Sequence, residues 1–194
     1  MFSLAATSLM ATPAPAAEWT ATELVKLYKV AGKTPIELYE AIGAKGPLLG
    51  GSSRAIAVTT FDLKWRRDYQ PQPDGSCTLA SAIPFLTITY SWPVPSQHLA
   101  EPVASLWKTF RDGIERHERV HGEMIRAMTQ RILDTTVGVT VANDPQCTKI
   151  RKELQAPLAA ASAEQRQKSR DFDKAEMSDG GNVHQLILAL VNGG

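Results

Sequence analysis

The chain has 194 residues, 43% of them hydrophobic and 21% charged, which suits one core and leaves little room for two. Its 21 basic and 20 acidic side chains leave a formal charge of +1, far from the basic excess of a nucleic-acid-binding surface. No apolar run approaches the roughly 20 residues of a membrane-spanning helix, so neither a nucleic-acid partner nor a membrane span is expected.

Residues 1–17 carry no charged side chain, combine Phe2, Leu4, Leu9 and Met10 with Ala and Thr, and end in Ala14-Pro15-Ala16-Ala17. An apolar stretch followed by small residues matches the pattern of an export signal, although the basic segment that normally precedes it is missing. A start further upstream is one reading of that lack, and a disordered Ala/Pro/Ser/Thr leader is another. Residues 18–194 are then expected to form a single domain, secreted or periplasmic. In that compartment the two cysteines, Cys77 and Cys147, are expected to pair; two buried thiols are the alternative.

After a short mixed stretch, Tyr28-Lys29-Val30 reads as a brief strand before Gly32. A helix is predicted next, with Thr34 as its cap, Pro35 at the first helical position, Glu37 at the capping-box position and Gly43 at its end. Gly46-Pro47 and the run 50–53 form a loop. Ala55–Arg67 is rich in β-branched and aromatic residues and reads as a strand. Turn formers fill 70–76, and Cys77–Trp92 returns as one or two further strands, completing a small antiparallel sheet that Pro93 and Pro95 should end. From Val103 to Ile132 the apolar period changes to steps of three and four, predicting a long helix closed at Val137-Gly138-Val139. A second, more polar helix is predicted from about Pro145 or Thr148 to Arg170, and the last segment reads as a loop followed by a short apolar stretch.

The chemistry lies inside the long helix, in His117-Glu118-Arg119-Val120-His121. Residues four apart share one helix face, so both imidazoles can aim at a single zinc ion, while Glu118, rotated by about 100°, can serve a bound water without ligating the metal. Chance would produce this pattern in roughly one sequence in two hundred of this composition. His117 and His121 also fall on the apolar stripe with Phe110, Ile114, Met124 and Met128, where a buried ring needs a partner. His98 reads as a surface or capping residue, Trp65, Trp92 and Trp107 as core, and Arg116, Arg119 and Arg126 as the outer face of the helix.

From Tyr28 to Gly181 the chain resembles the bacterial "domain of unknown function 922" family, described as predicted secreted zinc-dependent proteases. The residues behind the resemblance are Tyr28, Val30, Gly32 and Thr34 with Glu37-Leu38, then Gly46-Pro47, Thr60 with Trp65, Cys77, Trp107, His117-Glu118-x-x-His121, Cys147 and Phe172-Asp173. It implies a secreted zincin-like protein with the two Cys paired and with peptidase activity. The family's C-terminal signature, Tyr-Asp-x-x-Thr-x-His-Gly, is altered here: Phe172-Asp173 is retained, but the His is replaced by Ser178 or, with one inserted residue, by Asp179 before Gly180. Asp179 is therefore the first choice for a third zinc ligand, with His184, Asp173 and Glu176 as alternatives.

The sequence thus predicts an α+β, zincin-like domain, a small antiparallel sheet beside a long active-site helix and a second C-terminal helix. Its expected function is hydrolysis of amide bonds in a peptide or protein substrate, with Zn2+ held by His117, His121 and Asp179 and with Glu118 as general base. A catalytically inactive binding or structural domain and a cell-wall amidase are the rivals.

Overall fold

The computed structural model describes residues 19–49, 51 and 53–193, so the expected export segment lies outside the described residues. The chain runs β1 (Thr22–Val30), α1 (Pro35–Lys45), β2 (Val58–Pro71), β3 (Cys77–Pro95), α2 (Val103–Thr136), β4 (Thr140–Val141), α3 (Lys149–Glu153), α4 (Gln155–Met177) and α5 (Asn182–Asn192). The class is α+β, as expected. The sheet is mixed rather than antiparallel: β3 lies between β1, to which it is parallel, and β2, to which it is antiparallel, and β4 pairs with its first residues. The antiparallel expectation followed from the β2–β3 hairpin alone, and β1 is longer than the brief strand foreseen at residues 28–30.

β3 runs through Pro84 and Pro93 and ends at Pro95, within a few residues of the end expected from the last two prolines. Ser96 donates to the Val30 carbonyl, so residues 93 and 95, of opposite parity, face the other side of the strand. There β2 has already ended at Val58, opposite Ser91. Pro84 faces the β1 side, before β1 begins opposite Thr87. Each missing N–H therefore falls where no ladder bond is needed.

Alternation along β3 sends Leu86, Ile88, Tyr90 and Trp92 into the core, where they meet Trp107, Phe110, Ile114, Ile125 and Ile132 of α2. The capping box of α1 forms as read: Thr34 accepts from the Glu37 N–H, and Glu37 accepts from the Thr34 N–H. A second apolar cluster of Leu79, Val141, Ile150 and Leu154 surrounds the disulfide between Cys77 and Cys147. With its cysteines 70 positions apart, that bond stabilises the fold by about 4 kcal/mol in the chain-entropy account. It also ties the start of the α3–α4 arm to the sheet, so that α4 returns antiparallel along α2. Among the described residues no helix is long and apolar enough to cross a membrane.

Candidate metal centre

The 34 residues of α2 carry two working faces. One turns Arg119, Gly122 and Arg126 toward β1 and β3, so two of the arginines expected at the outer face instead clamp Glu23 of β1. The other turns His117, Glu118 and His121 into a cavity of about 600 Å³ bounded by β2, α2 and α4.

Both imidazoles point their Nε2 atoms at one place, 3.2 Å from each other. Oδ1 of Asp173, from α4, lies 3.2 Å from His117 Nε2 and 2.9 Å from His121 Nε2. A tetrahedral ion with bonds of 2.0 to 2.1 Å needs donors about 3.3 Å apart, so two nitrogens and one oxygen form nearly the required face. His117 is 8% exposed and the Asp173 side chain 51%, which leaves the triad sealed on the protein side and open toward the cavity. Two imidazoles, one carboxylate and an open fourth side make a candidate site for a divalent metal ion.

The surroundings orient these donors. His121 Nδ1 lies 3.2 Å from Ser169 Oγ, whose hydrogen is directed at the Met124 sulfur, leaving the oxygen to accept. His121 can then keep its proton on Nδ1 and present the Nε2 lone pair to a metal. Phe172 stacks on the His117 ring at 4.7 Å and meets His121 edge-on. His117 Nδ1 is buried with no hydrogen bond among the described residues, and the carboxylate of Glu176 stands 3.7 Å away.

Glu118 is buried beside the triad, and Thr59 of β2 donates to its Oε2 at 2.6 Å, leaving Oε1 without a partner among the described residues. Burial pushes its carboxyl above the usual glutamate range, against the lowering effect of Thr59 and the two imidazoles. Burial also disfavours the charged form of His117, but Asp173, Glu118 and Glu176 outweigh it and raise the imidazole's pKa. Desolvation would raise Asp173, yet its bonds to both histidines hold it well below the normal carboxylate range. The corner as built favours a positive charge.

At the third position the structure differs from the first choice. Asp179 lies in the exposed turn after α4, outside the cluster, and the carboxylate brought to the imidazoles is Asp173, one of the alternatives. The reason is local: Lys174, Ala175, Glu176 and Met177 are good helix formers and carry α4 two turns past Arg170, its expected end. His184, on α5, accepts from the Gly180 N–H and is likewise outside the cluster. Ser169, Phe172 and Thr59 were not anticipated. Ser169 stands four residues before Asp173, so extending the helix would have placed both on one face; no signal in the sequence pairs Thr59 with Glu118.

An α+β protein in which one long helix presents His-Glu-x-x-His to a cavity, and a second helix closes the corner with a carboxylate, defines a class with a candidate metal-binding triad of His117, His121 and Asp173. The chain belongs to the family described as "Bacterial protein of unknown function (DUF922)", whose model matches residues 25–181. No curated protein and no solved structure matches it.

Proposed function

We propose that the protein is an exported zinc-dependent peptidase. The observation that carries this reading is the convergence of three donor atoms within 3.2 Å of one another beside a buried glutamate. His117, His121 and Asp173 would hold the ion; bound there, zinc would supply Lewis acidity, making a water acidic near neutral pH and polarising an amide carbonyl. Glu118 Oε1 takes the proton of the attacking water and delivers it to the departing amine, and its raised affinity for a proton suits both transfers. Thr59 fixes the other oxygen so that the carboxylate keeps one orientation. Among the described residues β2 pairs only with β3, so its other edge is free to align an extended substrate by strand addition. Export agrees with the disulfide.

The test is Glu118→Gln, with zinc per chain and peptide hydrolysis measured on both proteins. We expect one zinc in each and a loss of hydrolysis of about 10²- to 10⁴-fold in the variant. Equal activity would remove Glu118 from the mechanism, and zinc without hydrolysis in the unaltered protein would favour a binding domain.

A further inference from the structure

We infer that the mouth of the metal-site cavity is a binding site for a large apolar side chain of the substrate, one within two residues of the cleaved bond. This rests on the peptidase reading and specifies its substrate class.

Three large hydrophobic side chains remain well exposed around one opening: Leu49 at 51%, Phe61 at 43% and Met177 at 53%. They come from the loop after α1, from β2 and from the last residue of α4, so their convergence is a product of the fold and not of one apolar segment. Below them the cavity floor is also apolar, formed by buried Ile114 and Val183. An apolar group entering from water would cover all of these surfaces at about 25 cal/mol per Å².

Two of the three sit at fixed steps from the reacting groups. Phe61 is two residues beyond Thr59 on the same face of β2, one pleat of about 7 Å from the hydroxyl that holds Glu118. Met177 is four residues beyond Asp173, one helical turn of about 6 Å from the triad's carboxylate. An extended peptide advances about 3.3 Å per residue, so an apolar contact 6 to 7 Å from the site falls on a side chain no more than two residues from the bond being cut. Arg54 lines the same cavity as Glu118 and Asp173, so the charges around it are of both signs and selectivity rests on the apolar contacts. A cell-wall peptide rich in alanine would leave the apolar mouth unfilled.

The experiment is to incubate the zinc-loaded protein with a mixture of synthetic tetradecapeptides covering all residue pairs and to map the cut bonds by mass spectrometry. Phe61→Ser/Met177→Ser is run in parallel, with zinc content and thermal midpoint as controls for folding. We expect Leu, Ile, Phe and Met to be enriched within two residues of the cut. In the double variant kcat/KM for the apolar peptides should fall about tenfold or more relative to that for Ala- and Ser-bearing peptides. Cleavage without apolar enrichment, or selectivity unchanged in the zinc-bearing variant, overturns the subsite and leaves the peptidase standing. No cleavage of any peptide by zinc-loaded protein overturns both.

Discussion

Asp173 Oδ1 lies within hydrogen-bond reach of two imidazole nitrogens at once, an arrangement that serves a shared proton or a shared metal equally well. Zinc content in single variants separates the ligands from their neighbours. His117→Ala and Asp173→Ala are each expected to lower zinc from one per chain to a small fraction at micromolar metal, whereas Asp179→Ala should retain it. Elemental analysis of dialysed protein checks this, and the reverse outcome for the two aspartates would return the third ligand to the turn after α4. At this scale the sequence was informative where spacing fixes geometry. His117, Glu118 and His121 lie one helical turn apart or less, and their common face follows from the helix alone. Asp173 is separated from His117 by 56 residues, and only the packing of α4 against α2 brings the two together. The chain's own residues named it as an alternative, but the altered family signature pointed two turns too far.

Helix α2 must lie close to the sheet on one face and line a cavity on the other, and Gly122, next to His121, is what permits the first. A Cβ built there would come within 2.1 Å of the Tyr90 hydroxyl and 3.0 Å of its ring, and that ring is fully buried and held by Glu23. Ala at a helical glycine ordinarily gains about 1 kcal/mol, but overpacking of a fixed ring costs about 1 to 3 kcal/mol. Gly122→Ala is therefore expected to be destabilising on balance, by up to about 2 kcal/mol. Gly43, in α1, has nothing within 4 Å of its Cβ position, so Gly43→Ala should stabilise by up to about 1 kcal/mol. Denaturant titration of both variants checks the pair of opposite signs. The elements themselves were readable wherever their signals were local, as with the capping box of α1, the hairpin turn before β3 and the three-four apolar stripe of α2. The length of β1 was not, because a strand paired on one side and exposed along most of its length carries little alternation.

The molecule as a whole is held around the site by two long-range ties of different chemistry. The disulfide ties the start of the α3–α4 arm to the sheet, and α4 then returns along α2 with Glu164 paired to Arg131, Ser169 beside His121 and Asp173 beside His117. The second tie is Glu23, on β1, which accepts from Arg119 and Arg126 of α2 and from the hydroxyl of Tyr90 in β3, locking the edge strand to the helix that carries the histidines. Partial burial works to raise its pKa, but the Arg126 and Tyr90 hydrogen bonds and the two guanidinium charges prevail and hold it below the ordinary value of 4.5. A carboxyl whose pKa is lower in the folded chain binds protons more readily when unfolded, so its contribution is complete above the unfolded value and is lost as pH falls through the folded one. Glu23→Gln should therefore lower the unfolding free energy near neutral pH by roughly 1 to 2 kcal/mol, the scale of hydrogen bonds to a charged group. The gap between the two proteins should hold from neutral pH down to about 5 and close as the pH falls below about 4.5, where wild-type Glu23 also takes up a proton. Urea titrations at stepped pH read this directly; a gap that stayed constant into acid would mean that β1 is held by packing and not by the charge of Glu23.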